Sequence, residues 1–546
     1  MAQHAAAGRR GWANAVARGA LALAWLAGCA SVLPPGATRP EVEPPYSAAV
    51  AARFPAPAVR YDTPGLAVGR ERYTSDDELR AWLDDLVRAD GHDGTRIVRL
   101  EAGRSQQGVP LQVLHLSRGA GRPVVLLTGQ QHGDEPAGAE ALLVVARELA
   151  RGHLGSVLDR IDVAVLPRAN PDGTAWNTRV AADGIDINRD HLLLRTPEAR
   201  ALARLMREWA PIVVVDLHEH TVVGRYLEKF DAVQRNDLLL QYAMTANYPE
   251  SLAQASQRWF IEPMRQALTR EGLTHEWYYT NPTTPGDLRL SMGGLQPDTA
   301  RNVNGLKQTV SILLESRGVG IGRAHLQRRV HSHVVAVRAV LDSAAEHAQD
   351  LMALQRGAGS AVAAAACLGD VVVLQAATAQ QRELVMLDPE TGADKAVSVA
   401  WDSALQPRVL RTRERPCGYW IGAEGALAVQ RLRDLGVQVQ RFASDAPLQA
   451  EGWRELSRVE TARPDVRGTV ADAAQTVIGI RVALAPHAAT APAGSWYVAL
   501  DQPLANLAVA ALEPDTPSSY FANRLLPSLD AALRVRSPPA AAWSAP

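Results

Sequence analysis

The chain reads as an α/β protein: a mixed, mostly parallel sheet flanked by helices, followed by a β-rich α+β region. Three observations carry this. The runs Val124–Leu127, Val163–Leu166, Ile212–Leu217 and Val310–Leu314 are rich in β-branched residues and almost uninterrupted, as strands buried on both faces are. Between them, apolar residues recur at helical spacing. Beyond residue 360 the pattern turns to short strand-like runs and turn signals.

Composition agrees. With 546 residues, 47% of them apolar and 21% charged, the chain can bury a large core, which excludes disordered, collagenous and coiled-coil classes. Its 57 basic and 58 acidic residues leave a formal charge of -1, so no basic excess points to nucleic acid.

Residues 1–28 carry Arg9, Arg10 and Arg18, no acid, and a short apolar run from Leu21 to Leu26. The run is too short for a bilayer core, which needs about 20 apolar residues, and reads as a signal peptide. It ends Leu26-Ala27-Gly28-Cys29, which resembles a bacterial lipobox in which the cysteine is lipid-modified. Ala30 follows, with no aspartate of the inner-membrane retention signal. The expected site is therefore the periplasmic side of a bacterial membrane, inner or outer with the outer favoured, reached through a lipid on Cys29. Prolines crowd residues 29–69, as in an extended tether. Ser75 and Glu78 form a capping box that opens a helix with Leu79, Trp82, Leu83, Leu86 and Val87 on one face.

The first domain is expected over 70–354. Its helices cover Ala137–Ala150, Pro197–Trp209 with Thr196 as the cap, Leu252–Glu271 and Arg323–Leu354. Gly357-Ala358-Gly359-Ser360 reads as a linker to a β-rich domain over 361–546. There, Val371–Leu374 and Leu384–Leu387 look like strands, residues 388–392 a turn, and Ala426–Leu435 a helix stopped by Gly436. Cys367 and Cys417 either pair in an oxidising compartment or stay as buried thiols.

The chemistry follows strand ends. His132 and Glu135 stand in an H-x-x-E just past the first strand, and His218 ends the third within Asp216-Leu217-His218. Two imidazoles and one carboxylate form a ligand set suited to a catalytic zinc with an open position, which serves hydrolysis. Further segments follow in order: Asn170-Pro171-Asp172-Gly173, then Asp186-Ile187-Asn188-Arg189, then a strand ending in Glu315.

Over roughly residues 70–345, these motifs in this order resemble the zinc metallocarboxypeptidases of the carboxypeptidase A/B type. The resemblance implies that fold and one Zn2+ per chain held by His132, Glu135 and His218. It implies Glu315 as general base towards zinc-bound water, Arg179 as the oxyanion arginine, and Asn188 with Arg189 as the grip on a peptide's terminal carboxylate. Arg suits that last role because its fork binds carboxylate bidentately. Arg168 competes with Arg179. Glu219 and His220 are either support for the ligands or solvated loop. Trp277, Tyr278 and Tyr279 either line a cleft or pack. Arg301 either accepts an acidic group or is structural. His325, His331 and His333 are expected on a helix surface, since Val330, Val334, Val337 and Leu341 form that helix's core stripe. Two departures stand out. Asp134 replaces the arginine that the digestive enzymes carry within H-x-x-E, and no tyrosine between Tyr279 and Glu315 matches their active-site tyrosine. The function implied is a periplasmic zinc carboxypeptidase acting on peptides. The alternatives are an amidase or deacylase of the aspartoacylase or murein-peptide type, and a non-catalytic binding lipoprotein.

Overall fold

The computed structural model describes residues 46–88, 94–462 and 476–544. The expected signal peptide, Cys29 and the tether as far as residue 45 lie outside the described residues.

Among the described residues, ten strands precede residue 320: β1 (Arg96–Arg104), β2 (Pro110–Ser117), β3 (Val124–Gly129), β4 (Asp162–Leu166), β5 (Val213–Thr221), β6 (Leu238–Tyr242), β7 (His275–Trp277), β8 (Tyr279–Thr280), β9 (Arg289–Met292) and β10 (Val310–Val319). Eight of them make one sheet in the order β1-β2-β4-β3-β5-β10-β6-β7. Its heart, β4-β3-β5-β10, is parallel, while β2 joins β4 and β6 joins β10 antiparallel. The sheet is mixed and helix-flanked, as the sequence predicts. Side chains alternate across it with period two. Val125, Leu127, Val213, Val215 and Leu217 enter the core built with the helices Asp76–Arg88, Ala137–Arg151 and Leu326–Glu346. Leu126, Ala164, Leu166 and Val214 enter the opposite core, with Ala201, Leu202, Leu205 and Met206 of the helix Pro197–Trp209. Both caps form: Ser75 and Glu78 exchange hydrogen bonds between backbone N–H and side chain, and the Thr196 hydroxyl accepts from the Ala199 N–H.

Three expectations need correction. The tether does not hold over residues 46–69. Val50 and Phe54 are buried with Val222, Val223, Ile321 and Leu387, and Tyr61 meets His331 at 2.8 Å. Proline density hid these apolar anchors. The linker is also wrong. Residues 357–360 lie inside the helix Ala348–Ala364, because the surrounding alanines and leucines are strong helix formers and outweigh two glycines at about 1 kcal/mol each. A Cβ on Gly359 would come within 3.2 Å of Pro503, so the glycine also permits close packing. Finally, His331 and His333 are buried, at 6% and 0% exposure. Their helix packs against the sheet and against several other helices, so its buried stripe is wider than the apolar pattern shows.

The later strands are β11 (Asp370–Leu387), β12 (Asp394–Glu414), β13 (Gly418–Ile421), β14 (Gln440–Arg441), β15 (Ala446–Ala462), β16 (Thr476–Ala491), β17 (Trp496–Ala499) and β18 (Ala532–Val535). The long β11–β12 ribbon contains both expected short strands, and β12 adds in parallel to β9. The rest form a six-stranded sheet, β14-β17-β13-β18-β15-β16, whose core around Tyr419, Val498, Leu507 and Tyr520 also takes in Leu192, Leu194 and Leu306. Cys367 and Cys417 are disulfide-bonded.

A tight joint between helix and sheet is Gly138, whose Cβ would stand 2.8 Å from the Leu217 side chain and 3.0 Å from its carbonyl oxygen. Alanine at an exposed helical glycine usually stabilises. Here Gly138→Ala is expected to destabilise by about 1–3 kcal/mol through overpacking, read as a lower midpoint in chemical denaturation.

Candidate metal centre and substrate cleft

β3, β5 and β10 all run the same way, so their carboxyl ends meet at one edge, where ligands bind in open α/β sheets. After β3 the chain turns at Gln130, at φ +52°, into the loop carrying His132 and Glu135. Gly133 is obligatory there, since a Cβ would lie 2.0 Å from the Gly173 backbone. Asn170 caps the helix Pro171–Trp176 through the Gly173 N–H and donates to the Gln131 carbonyl, tying the two loops together. Asp172 accepts from the Ser105 hydroxyl and the Gln107 N–H. The N-P-D-G motif therefore builds the floor under the H-x-x-E loop.

His132, Glu135 and His218 converge. One donor atom from each lies within 4.8 Å of the others, and all three residues are buried. The two Nδ1 atoms stand 3.0 Å apart, and each is 2.9 Å from a Glu135 oxygen. The far nitrogens are held by acids: His218 Nε2 is 2.8 Å from Asp216, and His132 Nε2 is 3.1 Å from Asp186. A carboxylate behind each imidazole fixes the proton on Nε2 and turns the Nδ1 lone pair inward, as in metal-binding histidines. This donor set fits a zinc ion. Burial raises Asp186, yet the Arg179 guanidinium and the His132 ring beside it hold its carboxyl well below the usual range.

A cleft of about 330 Å³ opens over this cluster, lined by Arg179, Asn188, Arg189, Tyr278, Arg301 and Glu315 among others. Arg179 pairs with Asp186 at 2.8 Å and reaches His132 at 3.0 Å. Arg168 faces away and donates to Gln130, Asp76 and the Thr74 carbonyl. Of the two rivals, Arg179 is the one in the cleft. Asn188 accepts from the Ala300 N–H, with its amide nitrogen 3.2 Å from His218. Arg189 donates to the Asn188 carbonyl, and Asp186 and Asp298 sustain its charge against burial. Glu315 is level with His218 across the parallel ladder, so both side chains leave the same face of the sheet.

Glu219 is an anchor. It is ion-paired with Arg329 at 2.5 Å, and its other oxygen accepts from the Ala137 N–H at the head of the helix Ala137–Arg151. Its backbone N–H donates to Glu135. Burial keeps His220 and His333 neutral, both pushed down to about 3. Of the two outcomes open to Tyr278, lining the cleft is the one that holds. Tyr278 stands in the cleft among Glu315, Arg189, Arg179 and Arg301, and burial pushes its phenol up. Tyr279 also borders the cleft, but its hydroxyl donates to Gln234 and its ring packs edge-on against Trp401. The paired tyrosines after β7 were the available signal, because in extended chain one of two neighbours must face each side.

A buried two-histidine, one-carboxylate centre at the end of a helix-flanked sheet defines a class, the zinc hydrolases of peptide-like bonds. The family model for zinc carboxypeptidases matches residues 79–318, and this part of the chain is a zinc carboxypeptidase domain, that of a metallocarboxypeptidase hydrolase. Carboxypeptidase 2 of Trichophyton rubrum is 28% identical over 480 residues, covering 85% of this chain and 86% of that protein. Human carboxypeptidase D is 29% identical over 212 residues, 29% of this chain and 15% of that protein. A metallo-carboxypeptidase structure from Burkholderia cenocepacia is 19% identical, with a TM-score of 0.38, over 50% of this chain and 69% of that one.

His132→Ala or His218→Ala is expected to abolish most zinc binding by metal analysis, whereas Tyr278→Phe leaves it unchanged. Zinc retained in both histidine variants would place the metal elsewhere.

Proposed function

We propose that this chain removes the C-terminal residue of peptides, with one zinc per chain, at the periplasmic face of a bacterial membrane. The observation that carries the reading is the Asn188–Arg189 pair in the same cleft as the histidine cluster and Glu315. A planar guanidinium matches the two oxygens of a terminal carboxylate.

His132, Glu135 and His218 would hold the zinc, which when bound would supply Lewis acidity towards the scissile carbonyl and water. The chain's own groups supply the rest. Arg189 and Asn188 fix the substrate's terminal carboxylate. Glu315 accepts the proton of the attacking water on a carboxylate oxygen and passes it to the leaving amine nitrogen. Arg179, oriented by Asp186, presents a fixed positive charge to the developing oxyanion. Tyr278, with its phenol kept protonated, is placed to donate a hydrogen bond to the bound peptide.

Glu315→Gln keeps shape and removes the base. The expected result is a fall in kcat of about 10²–10⁴-fold with zinc content and melting temperature unchanged. Near-normal turnover would transfer the role to another acid. For the location, Cys29→Ser is expected to leave the protein soluble or unprocessed. A processed variant that still partitions into membranes would contradict the lipid anchor.

A further inference from the structure

Resting on the carboxypeptidase reading, we propose that Arg301 makes the enzyme selective for peptides ending in an acidic residue, glutamate or aspartate. Arg301, the second residue of the helix Ala300–Gly305, lines the cleft and is 3% exposed. One Nη atom donates to the Gly294 carbonyl at 3.1 Å, and Nε has no hydrogen-bond partner among protein atoms. No ion pair within 4.0 Å engages it among the described residues. Such a group is costly to bury unless something charged meets it.

Its surroundings are built to hold it there. The Gly294 carbonyl also accepts from Asn302, whose amide further donates to the Gln296 carbonyl. Gln241 clamps Gly293 through both its N–H and its carbonyl. A Cβ on Gly293 would lie 2.8 Å from the Tyr278 ring and 3.0 Å from an Arg301 Nη, so the glycine lets both groups close over it. Arg301 is thus fixed beside Tyr278 in the cleft that holds Arg189 and Glu315. Burial and the nearby Arg189 charge lower it to about 10 against the pull of Tyr278, Glu315 and Asp298, which leaves it charged at neutral pH. Of the two carboxylates, Glu315 lines the cleft and Asp298 does not, and the proton-transfer step requires Glu315. With the terminal carboxylate on Arg189, a second carboxylate on the same terminal residue is the ligand chemistry that matches Arg301.

The test compares zinc-loaded wild type, Arg301→Gln and Arg301→Lys on N-acyl dipeptides that share a penultimate residue and end in Glu, Gln, Leu or Arg. Wild type is expected to prefer Glu over its isostere Gln by at least about 30-fold in kcat/KM, since a site built to bind a charged group discriminates strongly against an analogue lacking it. Arg301→Gln should bring that ratio within about 3-fold of unity, the loss falling mainly on the Glu terminus. Arg301→Lys should keep part of the preference. Equal wild-type rates on Glu and Gln, or an equal loss on every substrate in Arg301→Gln, would overturn the inference. The wild-type ratio needs no variant, so a poorly folding mutant does not shield the idea. Release of only neutral or basic residues defeats acid selectivity alone. Release of no C-terminal residue from any peptide defeats the carboxypeptidase reading as well.

Discussion

In the ladder between β5 and β10, His218 and Glu315 are paired at one height, and β3 ends beside them with Gly129 level with Leu217. Everything at the centre follows from that register. Because the three strands are parallel, their ends fall on one edge, and groups far apart in sequence leave the same face. A slip of one residue would turn His218 and Asp216 into the apolar core and bring Leu217 to the cleft. Gly138 and Gly133 guard the register from either side, since each admits backbone where any side chain would intrude.

The site concentrates buried charge, and the acids around the ligands are answered: Asp216 by His218, Asp186 by Arg179 and His132, Glu219 by Arg329. Removing one partner of such a pair typically costs 3–5 kcal/mol, so the network rigidifies the ligands as well as neutralising them. It also reaches outward. Arg168 ties the first catalytic loop to the start of the helix Asp76–Arg88, and Arg329 joins the strand carrying His218 to the long helix behind it.

The parallel core and the metal cluster were legible in the sequence for physical reasons. Strands buried on both faces read as apolar runs, and the few residue types that bind zinc stand out when they cluster at strand ends. Features that depend on three-dimensional context were not legible. The apolar anchors of residues 46–69 are single residues among prolines, with no period to detect. His331 and His333 look polar, yet their helix is wrapped on several sides. The helix through residues 357–360 shows propensity outweighing two glycines. Tyr278 was hidden because its role depends on which way one of two adjacent tyrosines turns, and that is set by the pairing of β6 with β7. Asp186 and Asp216 were visible as parts of motifs, but their grip on the imidazoles emerges only when β3, β5 and the residue 186 loop come together.

Recognition of a free terminal carboxylate by Arg189 separates a carboxypeptidase from an amidase built on the same metal centre. The direct measurement is kcat/KM of the zinc-loaded protein on one peptide with a free and with an amidated C-terminus, repeated in Arg189→Ala. The expected result is a preference for the free acid of about 10²-fold or more in wild type, consistent with the 2–5 kcal/mol lost when a buried charged partner is removed, and little preference in the variant. Equal cleavage of both peptides by the wild-type protein would contradict it.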